Sequence, residues 1–82
     1  MTDHGDVHAL KSVRSMLARR GIDISRADVR VQKGICYIRG FVSAMPSAHI
    51  ADINTEMDQV ARLLRTKPEI RSVVVEITSR GR

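Results

Sequence analysis

The chain predicts an α+β domain of order α-β-β-α-β: a three-stranded mixed sheet with two helices packed on one face. Three observations carry this. The segment Asp28–Val42, DVRVQKGICYIRGFV, reads as two β-type runs around a turn at Lys33-Gly34. Apolar residues recur at helical spacing on either side of it, over Val7–Leu17 and Ile50–Leu64. The closing stretch Ile70–Thr78 is rich in β-branched residues.

The first helix is expected over about Asp6–Arg20. Val7, Leu10, Val13 and Leu17 form its stripe, and Met16 widens it. Asp3 or Asp6 is placed to cap the start, while Arg19 and Arg20 suit the negative end of the helix dipole. Gly21 supplies a left-handed stop, with Ile22 in position for the hydrophobic contact that accompanies it. Ile22–Ala27 then reads as a connector.

Folding Asp28–Val42 about its turn sets Gln32 against Ile35, Arg30 against Tyr37 and Asp28 against Arg39 on one face. Val31 against Cys36 and Val29 against Ile38 make the other. That second face is aliphatic and suits a core. The first mixes arginine with the only tyrosine and, by strand parity, the only phenylalanine, Phe41. Gly34 suits the turn, and Gly40 marks a bulge or a close approach of neighbouring backbone.

A break at Ser43–Ser47 carries Pro46 where a helix opens. Ile50, Ile53, Met57, Val60 and Leu64 then step by three and four, so one long helix is expected over about Ser47–Thr66. The alternative is a short turn followed by a helix starting near Asn54, because Asp52-Ile53-Asn54-Thr55 offers caps and poor helix propensity. Lys67-Pro68 ends the helix. In the last strand Val73, Val75 and Ile77 share one face, and Val74, Glu76 and Thr78 the other. A right-handed crossover lays this strand parallel beside Ile35–Val42, which becomes central.

With 82 residues the chain suits a single domain, 1–82, with residues 1–5 and 79–82 frayed. One cysteine allows no internal disulfide. The N-terminus shows no basic-then-apolar leader, and no apolar run approaches the ~20 residues of a membrane span. The chain as given is therefore expected in the cytoplasm, and in the envelope if it is cut from a longer protein. A net charge of +5, mostly arginine and interleaved with acids, favours acidic partners.

The chain resembles the BON domain, a small bacterial module of the same element order. The resemblance lies in Arg20-Gly21-Ile22, Val29-x-Val31, Gly34-x-x-x-Ile38-x-Gly40-x-Val42 and Pro68-Glu69-Ile70-x-x-Val73-x-Val75, with Glu69-Ile70 where the family carries Gly-Val. It covers nearly the whole chain. It implies a non-catalytic module that contacts phospholipid membranes or other proteins; the residues themselves lead to no expected cofactor or metal.

The candidate surface is the sheet face carrying Arg30, Tyr37, Arg39, Phe41 and Val74, with Lys33 at the hairpin tip and Arg71 extending its positive field. An anionic phospholipid surface or a protein partner is the expected ligand. The same residues form the alternative stacking platform for RNA, since Lys33–Gly40 echoes an RNA-recognition motif. They also suit a homodimer, because Ile35, Tyr37, Phe41 and Val74 make an apolar patch rimmed by arginine. His4 and His8, four residues apart with Asp6 between them, have the spacing of a metal pair, but His4 precedes the expected helix start and no Cys or further His lies nearby, so a solvated terminus is expected instead. Cys36, paired with Val31, reads as core.

Overall fold

The computed structural model describes residues 4–79, which form α1 (His4–Arg19), β1 (Ile22–Gln32), β2 (Ile35–Ala44), α2 (Ile53–Arg65) and β3 (Ser72–Ser79). The sheet order is β1-β2-β3, antiparallel then parallel, with β2 central as expected. Its dry side carries Val29 and Val31 from β1, Cys36, Ile38 and Val42 from β2, and Val73 from β3. These make one cluster with Ala9, Val13 and Leu17 of α1 and with Met57, Val60 and Leu64 of α2. α1 lies against β1 and α2 against β3, so both helices occupy one face. Full burial of side chains such as Leu17, Ile38 and Leu64 stabilises the fold by roughly 1.5–3 kcal/mol each.

α1 starts two residues earlier than the spacing implies, so His4 and Gly5 are helical rather than frayed. Residues 1–3 and 80–82, the rest of the expected frayed ends apart from Ser79, which ends β3, lie outside the described residues. Asp6 sits inside the helix and on its buried row, and it does not cap the helix start. Val7 is 45% exposed. At about 100° per residue it stands roughly 120° around the helix from Val13, off the Ala9–Val13–Leu17 row. Gly21 ends the helix as expected, at φ +76°, and a side chain there would clash with the Cβ of Ala48.

The hairpin register matches the sequence reading pair for pair, from Gln32 against Ile35 to Asp28 against Arg39. Lys33 and Gly34 both have positive φ, 52° and 78°, the geometry that lets a two-residue turn follow the twist of its strands. β1 is longer than expected: Ile22–Ala27 is strand, not connector, because β2 runs on to Ala44 and offers it a partner. A register shift between Asp23 and Arg26 absorbs the mismatch, Ile24 and Ser25 standing where β2 has only Val42. The bulge therefore lies on β1. Gly40 (φ +104°) serves close approach instead: a Cβ there would lie 3.1 Å from the Arg26 carbonyl oxygen.

The second helix is shorter than the apolar periodicity implies and begins at Ile53, close to the alternative start. Local capping decided it. Asp52 is extended, and its carboxylate accepts the Asn54 N–H at 3.0 Å and the Thr55 hydroxyl at 3.1 Å. Upstream, the Met45 N–H donates to the Gly21 carbonyl at 2.8 Å, and Ile50 packs on the core from a loop. Ile50 thus keeps its apolar role without a helix. β3 starts at Ser72, two residues late, because Ile70 is buried in the preceding turn and the Arg71 N–H donates to the Gly34 carbonyl at 2.8 Å. No helix of the described residues is long and apolar enough to cross a membrane.

Candidate functional site

Alternation along the strands places Asp28, Arg30 and Gln32 of β1, Ile35, Tyr37, Arg39 and Phe41 of β2, and Ser72, Val74, Glu76 and Thr78 of β3 on the side away from the helices. The register arranges them in rows of three across the strands. Arg30, Tyr37 and Val74 form one row; Asp28, Arg39 and Glu76 form the next; Arg26, Phe41 and Thr78 form a third. Five expected residues, Arg30, Tyr37, Arg39, Phe41 and Val74, are therefore brought together on one surface. Lys33 and Arg71 are not on it. They stand at the hairpin end of the sheet, where the Arg71 stem approaches Gly34.

The charges of this face are largely spent on one another. Arg39 Nε donates to Glu76 Oε1 at 2.8 Å, directly across the β2–β3 ladder. The same guanidinium lies 5.0 Å from the centroid of the Tyr37 ring, a cation–π contact that adds roughly 0.5–1 kcal/mol at an exposed site. Arg30 Nε donates to Asp28 Oδ1 at 3.0 Å along β1. These are solvated pairs, each contributing ~0–1 kcal/mol, but they neutralise the field. Arg26, Arg30 and Arg39 face Asp28 and Glu76, three cations against two anions. The expected positive field is accordingly small.

The apolar patch is also less exposed than its residue types imply. Ile35, Tyr37, Phe41 and Val74 are all half-buried, flanked by the longer polar side chains of the outer strands. Two shallow hollows mark the surface. One, of about 220 Å³, lies beside Tyr37 between Arg30 and Arg39. The other, of about 430 Å³, lies beside Phe41 and is bordered by Arg26 and the β1 bulge. In the bulge the Ser25 N–H donates to Asp23 Oδ1 at 2.9 Å. That bond and one from the Ser25 hydroxyl hold the Asp23 carboxyl below the usual carboxylate range.

The remaining sequence candidates resolve into structural roles. Asp6 serves the hairpin turn: its two oxygens accept the Lys33 and Gly34 N–H groups at 2.9 and 3.0 Å, and the His4 side chain lies outside the described residues. His8 Nε2 lies 3.9 Å from Glu69 Oε2. Cys36 is fully buried, and loss of hydration pushes its thiol from an ordinary 9.0 up to about 11. Such a thiol is a packing group, since reactivity needs the thiolate. The sequence reading missed the basic side chains between the helices. Their one signal is the four-residue spacing of Lys11, Ser15 and Arg19. Among known proteins, no family model, no curated protein and no solved structure matches this chain.

Proposed function

We propose that the chain is a non-catalytic interaction module, of the kind its resemblance to BON domains implies, which binds a protein partner through the open face of its sheet. One observation carries this reading: both helices pack on the other side, leaving the central strand's Tyr37 and Phe41 beneath no element of the described fold. The chemistry of the face favours protein. Half-buried aromatics beside shallow hollows, bordered by paired arginines, are the composition of protein interfaces, whose binding energy concentrates in Tyr, Trp and Arg.

An anionic membrane is served less well, because Asp28 and Glu76 would face the headgroups alongside the arginines that they neutralise. RNA stacking is served less well too, since the Arg39 guanidinium already lies over the Tyr37 ring.

Affinity capture from extracts of the source cell tests the proposal, with Phe41→Glu and Tyr37→Glu variants of unchanged circular dichroism. A specific protein should be held by the parent chain and lost by both variants. Sedimentation velocity over a range of concentrations reads the case in which that partner is a second copy. Capture indifferent to both substitutions overturns the proposal. So does pelleting with anionic but not neutral vesicles that Arg30→Gln abolishes.

A further inference from the structure

A second group of cations, Lys11, Arg19, Arg20 and Lys67, lies between the helices. Because α1 rests on β1 and α2 on β3, the helices touch each other little, and a cleft of about 420 Å³ lies between them. At one end Arg20 reaches across and donates to Glu56 and, at 3.0 Å, to Gln59. The helices are therefore antiparallel: the end of α1 meets the start of α2.

Lys11, Arg19 and Lys67 also line the cleft, and no hydrogen bond or ion pair among the described residues engages their side chains. Ser12 and Ser15 add hydroxyls, while Met16 and the 42% exposed Leu63 give an apolar floor. No carboxylate is among the described residues that line it, Glu56 reaching only Arg20 at its end. Local geometry assembles part of the set, since Lys11, Ser15 and Arg19 are four residues apart along α1, while Leu63 lies in the last turn of α2 and Lys67 just beyond its end. The helix dipole explains Arg19 in the last turn of α1, but Lys11 and Ser15 lie mid-helix, where it gives a cation no partner.

Ammonium and guanidinium groups offer donors and positive charge only, and the serine hydroxyls can donate beside them, a lining that suits the oxygens of a phosphate. The volume falls in the range of small-molecule sites. We propose that this cleft binds a water-soluble organic phosphate carrying a compact apolar group. The phosphate lies among Lys11, Arg19, Lys67 and the serine hydroxyls, and the apolar part rests on Met16 and Leu63. This site is independent of the sheet-face proposal and lies on the opposite side of the molecule.

Titration of the full chain with 1-naphthyl phosphate tests it, read by naphthyl fluorescence because the chain has no tryptophan. Saturable one-to-one binding is expected, with 1-naphthol and inorganic phosphate each roughly tenfold weaker or more. Arg19→Gln and Lys67→Gln should each weaken it by about tenfold, and Leu63→Ser should weaken naphthyl phosphate but not inorganic phosphate. All three positions are at the surface, and circular dichroism verifies the fold. Arg39→Gln on the sheet face is the control and should change nothing. Equal losses from Arg39→Gln and Arg19→Gln, indifference to Arg19→Gln and Lys67→Gln, or binding only to vesicles of phosphatidic acid each overturn the assignment.

Discussion

Asp6, in the first turn of α1, accepts the backbone N–H of Gly34 at 3.0 Å and that of Lys33 at 2.9 Å, joining the helix to a hairpin tip 28 and 27 residues away. The turn's amides point away from the ladder, and Asp6, only 8% exposed, satisfies both where water has little access. Gly34 in turn gives its carbonyl to the Arg71 N–H at 2.8 Å, so three elements meet there. Asp6→Ala should cost roughly 1.5–3 kcal/mol, the range for hydrogen bonds to a charged group, and Asp6→Asn distinctly less because one acceptor remains. Urea unfolding midpoints measure both; equal midpoints for Asp6→Ala and the parent chain would contradict the linkage.

Gly21 and Ala48 are packed so closely that a methyl group fits only one of them. Gly21→Ala meets two costs, the positive φ of 76° and the contact with Ala48. The first is about 1–2 kcal/mol and survives any neighbour; the second disappears in an Ala48→Gly background. A double-mutant cycle should therefore give a clearly smaller loss for Gly21→Ala when residue 48 is glycine. Additive losses would mean the loop simply moves aside.

The start of α2 rests on Asp52 rather than on Pro46 or Ser47. Asp52→Ala should lower stability by ~0.5–2 kcal/mol, while Ser47→Ala should leave it unchanged within a few tenths. Thermal denaturation of the two variants distinguishes them. A comparable loss at Ser47 would restore the longer helix.

Buried Cys36 ties stability to alkaline pH. Its folded value, about 11, lies above its ordinary 9.0. Between those values the unfolded chain gives up a proton that the folded state retains, so stability falls as pH rises through the window and is unaffected below it. The whole interval corresponds to ~2–3 kcal/mol. The measurement is the difference between the parent chain and Cys36→Val. Parallel pH profiles for the two would remove the effect. The thiol should also react slowly with alkylating reagents at pH 8 until the chain unfolds.

The open face was legible residue by residue because strand parity is a local property. Once the Lys33-Gly34 turn is placed, Arg30, Tyr37, Arg39 and Phe41 must point the same way. What those side chains do was not legible. Arg39 meets Glu76, which lies 37 residues further on, only because β3 returns parallel to β2 in one particular register. That pairing changes a positive surface into a nearly balanced one. The unpaired Lys11, Arg19 and Lys67 instead line a cleft between two helices whose separation depends on how each sits on the sheet.

The sequence by itself therefore determined the element order, the hairpin register and the division of each strand into a dry and a wet face, all governed by spacings of two to four residues. Tertiary structure decided the rest. It made Asp6 the clasp of a distant turn instead of a helix cap, and it seated Ile50 on the core from the loop before α2, whose start at Ile53 is set locally by the Asp52 cap. It also sorted the basic residues into paired and unpaired. These outcomes depend on distances between segments far apart in the chain, and local periodicity carries no information about such distances.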